Sequence, residues 1–146
     1  MVGCIGNDNH GEEYLQNLKS QNVDTKHMYT SETSTTGVAA VCIDSRGENQ
    51  IIVVGGANND LTPQHVVLAQ PLIQTSKVLL LQNEVPYETN LSALKLLGKE
   101  AISIWNNAPC LRAIDDVKAF LSLVTIVIVN ESEAQSRRND YIEVYH

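Results

Sequence analysis

Polar residues follow the last apolar run of the chain at a position suited to ligand binding. The run Leu123–Val129 is followed directly by Asn130, Glu131, Ser132 and Glu133. A β-branched run without polar alternation predicts a strand that is buried on both faces, as in a parallel sheet. Open α/β sheets bind ligands just beyond the carboxyl ends of such strands. An amide and two carboxylates at this point therefore predict a site for a phosphate or a metal ion.

The same tetrapeptide also fits a helix capping box. In that interpretation Asn130 caps the next helix and Glu133 reaches back to it. In the site interpretation the Asn130 amide contacts a phosphate and the Glu133 carboxylate holds Mg²⁺ through water, because Mg²⁺ keeps most of its hydration. The two interpretations are compatible, and both stay open at this point.

Two further predicted strands end in polar side chains. The strands are Lys77–Leu81 and Ala101–Trp105, and together with the last run and the helices Tyr87–Leu97 and Asp115–Leu121 they predict a βαβαβ unit. Right-handed crossovers make such a sheet parallel, so its strand ends share one edge. We therefore expect Glu84, Asn106 and Asn130 at the same edge. Glu84 either caps the helix that follows or binds the hydroxyl groups of a ligand.

The first half of the chain predicts a strand, a helix and a hairpin. Residues 1–5 form a short apolar strand, and a glycine-containing turn leads into a helix that begins near Glu12. The runs Thr36–Ile43 and Gln50–Val54 flank a short polar loop and predict an antiparallel hairpin. Thr62 and Pro63 predict the start of another helix.

Composition narrows the class of protein. The chain has 146 residues, which is the size of one domain, and a net charge of -7. This charge argues against nucleic acid or an anionic membrane as the partner.

Three separated cysteines favour reduced thiols, with Cys4 and Cys42 as core residues. Neither a signal peptide nor a membrane-spanning run is seen, so we expect a soluble cytoplasmic protein, with the nucleus as the alternative compartment.

Several common catalytic motifs are excluded. Gly3 and Gly6 do not have the spacing of the dinucleotide fingerprint, and no Walker A pattern occurs. The four histidines lack metal-binding spacing, and no nucleophile elbow is present.

Five segments in order nevertheless resemble the ribokinase family, the sugar kinases of phosphofructokinase B type. They are Gly3–Gly11 (G-x-x-G-x-D-x-x-G), Thr36–Ala39 with Gly56–Asn58, Gln82–Glu84 (Q-x-E), Asn106–Pro109 (similar to N-P-A-P) and Asn130–Glu133 (N-x-x-E). Asn107 replaces the usual proline. The resemblance implies a ribokinase-like α/β fold over residues 1–134, with a β-hairpin lid at about residues 26–56 and a divergent tail at residues 135–146.

The resemblance implies ATP-dependent phosphorylation of D-ribose at its 5-hydroxyl, with Mg²⁺ and, in the full-length family, a monovalent cation. Glu84 would bind sugar hydroxyls, and Ala39 and Val41 would line the apolar side of the lid. Asn130 would contact the nucleotide phosphates, and Glu133 would organise Mg²⁺ through water. The lid would also pair two subunits into a homodimer.

Family segments expected on both sides of this region are missing from the sequence. They include the amino-terminal sugar-binding segments and the G-A-G-D segment, which carries the catalytic aspartate base and the anion-hole amides. We therefore expect a chain truncated at both ends that is inactive alone, since phosphoryl transfer needs one assembled site. We also expect an uncovered sheet. The alternatives are a non-catalytic isoform that pairs through the lid with a full-length kinase, and a kinase of another sugar or a nucleoside.

Overall fold

The fold is taken from a computed structural model, which describes residues 1–110 and 114–136. The strands are β1 (Val2–Gly6), β2 (His27–Ser31), β3 (Val38–Ile43), β4 (Asn49–Val54), β5 (Val78–Gln82), β6 (Ile102–Asn106) and β7 (Ile126–Ile128). The helices are α1 (Asn9–Ser20), α2 (Pro63–Leu68), α3 (Gln70–Thr75), α4 (Tyr87–Leu96), α5 (Ile114–Leu121) and α6 (Glu131–Ser136), with a 3₁₀ helix at Gly56–Asp60. Most of the predicted tail, residues 137–146, lies outside the described residues.

The strands form three sheets, and their pairing confirms the predicted α/β organisation. β1 pairs in parallel with β2, β3 pairs antiparallel with β4, and β5, β6 and β7 form a parallel sheet in that order. The predicted hairpin and the predicted βαβαβ unit are both present. The unit places the carboxyl ends of β5, β6 and β7 at one edge.

One face of the three-stranded sheet carries the core. Leu79 and Leu81 of β5 pack toward α2, α3 and α4, and Trp105 of β6 packs on Phe120 of α5 with ring centroids 4.7 Å apart. Both aromatic side chains are fully buried. This aliphatic and aromatic layer fixes the strands against the helices, and hence fixes the edge at which they end.

The opposite face of the same sheet is open among the described residues, which confirms the expected uncovered sheet, whereas the burial on both faces that the apolar runs predicted is not observed. Leu80 of β5 is 71% exposed, and Ile126 and Ile128 of β7 are 45% and 50% exposed. In strands, alternate side chains point to opposite faces, and among the described residues helices pack against only one of them. The predicted last strand, Leu123–Val129, is also shorter than expected, at Ile126–Ile128.

Smaller corrections concern one cysteine and one helix. Cys4 is buried as predicted, whereas Cys42 is exposed, because every residue of β3 and β4 is exposed. The helix predicted at Thr62–Pro63 is divided at Ala69 into α2 and α3. Within the described ranges, the helices are too short or too polar to cross a membrane.

Candidate functional site

The predicted polar edge is present in the structure. Gln82, Asn106 and Ile128 are in register across β5, β6 and β7, so Glu84 and Asn130 both follow the carboxyl edge of this sheet. In this respect the prediction that polar residues gather at one edge is confirmed. Such an edge is where open α/β sheets bind their ligands.

A network of asparagines ties the strand ends together beneath this edge. The Asn83 side chain accepts a hydrogen bond from Trp105 Nε1 at 2.9 Å and donates to Asn107 Oδ1 and to the Pro109 carbonyl, each at 2.8 Å. Asn107 is fully buried, and its backbone N–H donates to the Ile128 carbonyl. The loops after all three strands are therefore held together by polar contacts. The sequence did not lead us to predict this network. The feature that could have indicated it is the asparagine that follows each of two strands, Asn83 after β5 and Asn107 after β6.

Glu84 lies just beyond this edge and does not cap a helix. Helix α4 begins after Pro86, which provides no side-chain cap. Glu84 is half-buried, and among the described residues its carboxylate has no hydrogen-bond partner. The capping interpretation of Glu84 is therefore wrong, and its carboxylate oxygens are available as hydrogen-bond acceptors.

Asn130 and Glu133 form the reciprocal capping box that the sequence predicted. The backbone N–H of Asn130 donates to Glu133 Oε2, and the backbone N–H of Glu133 donates to Asn130 Oδ1, both at 2.8 Å. Across residues 1–110 and 114–136 there is no group of three His, Cys, Asp or Glu side chains that could hold a metal ion. The half-buried carboxylate of Glu133 fits a contact with Mg²⁺ through water. It does not fit direct coordination, which would need several carboxylates around the ion.

Ala39 and Val41 lie together on one face of the hairpin. They are opposite Val53 and Ile51, and side chains of directly paired antiparallel residues share a face. This face is apolar and exposed, with Val41 at 53% and Ile51 at 55%. The structure thus brings the two predicted lid residues together, but on a different sheet from Glu84 and Asn130.

The base of the hairpin is tied to the first turn of the chain through Asp8. Asp8 caps α1 by accepting a hydrogen bond from the Gly11 N–H at 2.9 Å, and it accepts two more from the Thr36 hydroxyl and N–H at 2.7 Å. The bonds from Thr36, followed by that from Gly11, lower the pKa of the Asp8 carboxyl to about 2. His10 and Val38 border the same shallow cleft. The sequence pattern predicted this turn but did not predict the hydrogen bonds between Thr36 and Asp8.

The glycines of this region are required by close backbone contacts. A Cβ on Gly6 would lie 2.4 Å from the Thr36 nitrogen, and one on Gly11 would lie 2.5 Å from the Gly6 carbonyl oxygen. Gly56 has a φ of +51°, and its Cβ would meet the Thr35 carbonyl oxygen at 2.3 Å. The spacing of glycines in the motif therefore follows from how tightly β1, α1 and the hairpin base are joined.

Comparison with known proteins identifies the family to which this arrangement belongs. The family model described as "pfkB family carbohydrate kinase" matches residues 1–142. The chain belongs to the pfkB family of carbohydrate kinases. It is 32% identical to the ribokinase of Mus musculus over 136 residues, and 34% identical to that of Lactococcus lactis over 126 residues. These matches cover 92% and 86% of this chain. A deoxyribokinase of Salmonella typhi is 25% identical over 99% of the chain and 47% of its own length.

The solved structures agree on the ribokinase-like fold. A ribokinase from Cryptococcus neoformans, crystallised with ADP, superimposes with a TM-score of 0.78 at 29% identity and covers 96% of this chain. The pfkB-family chain covers 44% of that structure and 42% of mouse ribokinase. It therefore spans less than half the length of each of these two relatives.

Proposed function

We propose that this chain supplies the sugar-facing and magnesium-facing half of an ATP-dependent kinase that phosphorylates D-ribose at its 5-hydroxyl. The observation that carries the proposal is Glu84, a half-buried carboxylate without a hydrogen-bond partner among the described residues, at the carboxyl edge of a parallel sheet in a pfkB-family chain. A carboxylate in this position accepts hydrogen bonds from vicinal sugar hydroxyls.

The remaining roles follow the geometry of the edge. Asn130, after β7, would contact the nucleotide phosphates, and Glu133 would orient water around Mg²⁺ while its capping bond holds it at the start of α6. Mg²⁺ would neutralise charge on the transferred phosphoryl group. Ala39 and Val41 would form the apolar underside of a lid that closes over the sugar. We also propose that the active protein is cytoplasmic.

The chain alone would not catalyse the reaction. Phosphoryl transfer depends on a nucleophile, phosphates and cations that are positioned together. The chain spans 42% of mouse ribokinase, and one face of its sheet is uncovered. We therefore expect ADP formation only when the rest of a kinase fold completes the site.

The experiment compares the chain alone with a chimera in which it replaces the matched region of mouse ribokinase. ADP formation is measured with and without D-ribose. We expect ribose-dependent turnover by the chimera and none by the chain alone. Turnover by the pure chain would disprove the half-site proposal, and a folded chimera that prefers deoxyribose or another sugar would disprove the choice of ribose.

A second candidate function is pairing through the hairpin without catalysis. The observation that favours it is the exposure of both hairpin faces: Ile52 is 67% exposed on one and Ile43 is 69% exposed on the other. A two-stranded hairpin this apolar is suited to contact with another protein surface. The partner would be the hairpin of another copy or of a full-length kinase.

Sedimentation velocity tests this pairing with a matched pair of variants. Ile52→Lys places a charge on the hairpin, and Val67→Lys places one on α2, where Val67 is 53% exposed. We expect only Ile52→Lys to shift the chain from dimer to monomer. A strictly monomeric wild-type chain, or equal effects of the two substitutions, would exclude pairing through the hairpin.

A further inference from the structure

The amides beneath the candidate site form a chain of hydrogen bonds that has a single direction. An indole N–H can only donate, so the side-chain oxygen of Asn83 must face Trp105 Nε1. The Asn83 side-chain nitrogen therefore donates to Asn107 Oδ1 at 2.8 Å. This leaves the Asn107 side-chain nitrogen to donate to Cys110 Sγ at 3.6 Å. Each amide can thus take only one of its two orientations, and the orientation of Asn107 determines that of Asn83.

Asn83 and Asn107 occupy equivalent places, because each is the first residue after its strand. Gln82 of β5 pairs with Asn106 of β6, so the residues that follow lie side by side. Alternate residues of a strand point to the same face, and Asn107 continues the buried face of β6 to which Trp105 belongs. Asn107 is fully buried, so its hydrogen bonds are shielded from water. The two amides therefore form the last layer of the core before the candidate site.

The chain is held in place on both sides of Glu84. Before it, Asn83 is fixed by the bonds of its side chain and by its backbone N–H, which donates to the Ala108 carbonyl at 3.0 Å. After it, Val85 packs on a buried cluster, and Pro86 precedes α4. The Glu84 carboxylate itself has no hydrogen-bond partner among the described residues. The position of this carboxylate therefore depends on its neighbours in the chain.

Asn107 also connects the loop of Glu84 to the loop that follows β7. Its backbone N–H donates to the Ile128 carbonyl at 3.0 Å, at the carboxyl end of the β6–β7 pairing. Two residues after Ile128, Asn130 begins the capping box of α6. A proline, the residue that the sequence motif usually has at position 107, offers neither a backbone N–H nor an amide side chain. Asn107 thus gives this chain a link between the two loops that proline could not form.

We propose that Asn107 is a positioning residue that acts through Asn83 on Glu84. Through its bond to β7 it also holds this loop beside the one that carries Asn130. Binding groups have to be held within about 0.5 Å of their productive geometry by the residues that support them. The inference rests on the proposed function for the role of Glu84. It goes beyond that function because it assigns a buried residue that touches neither the sugar nor the nucleotide.

Steady-state kinetics of the chimera with mouse ribokinase test this role. Asn107→Leu fills a similar volume without the amide, and we expect it to lower kcat/KM for ribose by at least about tenfold, because small misplacements of binding groups are costly. Asn107→Ala is measured beside it, in case the shape of leucine is not tolerated, and the same loss is expected.

Ser103→Ala is the matched control for these substitutions. Ser103 lies on the same buried face of β6, and its Oγ accepts a hydrogen bond from the Thr125 N–H at 2.9 Å. Its substitution also removes a buried hydrogen bond, but at a distance from the carboxyl edge. It should leave kcat/KM for ribose within about twofold of the parent chimera. Thermal unfolding of each variant confirms that the compared proteins are folded.

A double-mutant cycle with Glu84→Gln separates positioning from a loss of folded protein. If Asn107 acts through Glu84, its substitution has little left to disturb once the carboxylate charge has been removed. Asn107→Leu should then lower kcat/KM by less than about threefold in the Glu84→Gln background. A loss of folded protein would instead reduce kcat/KM by the same factor in both backgrounds.

The outcomes distinguish this inference from the proposed function. Equal losses in the two backgrounds would overturn the positioning role, and so would a loss for Asn107→Leu no larger than that for Ser103→Ala. A chimera that depends on Glu84 but not on Asn107 would overturn this inference alone. A folded Glu84→Gln chimera that uses ribose as well as the parent does would overturn both the proposed role of Glu84 and the inference that rests on it.

Discussion

Replacing Asn83 by alanine removes the centre of the polar network beneath the candidate site. The fully buried Trp105 then loses the acceptor for its Nε1–H, and the buried Asn107 Oδ1 loses a donor. The buried Trp105 N–H left without this acceptor costs about 1–3 kcal/mol, and the lost hydrogen bond to Asn107 adds about 1 kcal/mol. Allowing for relaxation of the loops, we expect the free energy of unfolding to fall by about 2–4 kcal/mol.

Urea unfolding measures this loss, and the chain contains one tryptophan, Trp105, whose fluorescence reports on the network. With a slope of roughly 1.5 kcal/mol/M, the unfolding midpoint of Asn83→Ala should fall by about 1–3 M. Asn106→Ala is the matched control, because Asn106 belongs to the same edge but is exposed. Its substitution should change the free energy of unfolding by no more than about 0.5 kcal/mol.

A double-mutant cycle shows whether the hydrogen bond itself is responsible. Trp105→Phe keeps an aromatic ring but removes the N–H, so Asn83→Ala should be less destabilising in that background, by about 1–2 kcal/mol. Circular dichroism follows unfolding of the variants without tryptophan. Strict additivity of the two substitutions, or equal losses for Asn83→Ala and Asn106→Ala, would refute the argument.

Two further predictions concern the joint between the first turn and the hairpin. The hydrogen bonds to Asp8 hold its pKa near 2, below the ordinary 3.8, so they stabilise the fold above pH 3.8 and this contribution is lost as the pH falls through about 2. The difference in urea midpoint between wild type and Asp8→Asn should therefore be constant above about pH 5 and shrink toward pH 2; a difference independent of pH over this range would contradict it. Gly56→Ala should destabilise the chain more than Gly47→Ala in thermal unfolding, because both glycines have positive φ but only the Cβ at Gly56 would collide with backbone; equal losses would show that the collision is relieved.

Local sequence patterns were enough to predict the hairpin and the βαβαβ unit. The turn residues between β3 and β4, and the alternation of apolar runs with helices from Lys77 onward, specify elements that the structure contains. Burial could not be predicted in the same way. An apolar run such as Leu123–Val129 has the composition of a strand covered on both faces, but what covers it depends on distant elements, and only one face is covered among the described residues.

The candidate site was predictable in position and not in detail. Parallel pairing is enough to bring Glu84 and Asn130 to one edge, and the spacing of Asn130 and Glu133 is enough to predict their capping box. The partners of Asn83 and Asp8 depend on contacts across 22 and 28 positions of the chain, and a local pattern carries no information about them.

The measurement that tests the account most directly is ribose-dependent ADP formation by the chimera carrying substitutions at Glu84. Glu84→Gln removes the charge from the proposed sugar ligand, and Glu88→Gln does the same on the exposed first turn of α4. Loss of a charged hydrogen-bond acceptor worth about 1.5–3 kcal/mol corresponds to a fall in kcat/KM for ribose of roughly 10- to 150-fold. The account predicts this fall for Glu84→Gln and nearly unchanged turnover for Glu88→Gln. A folded chimera whose use of ribose is unaffected by Glu84→Gln would contradict it.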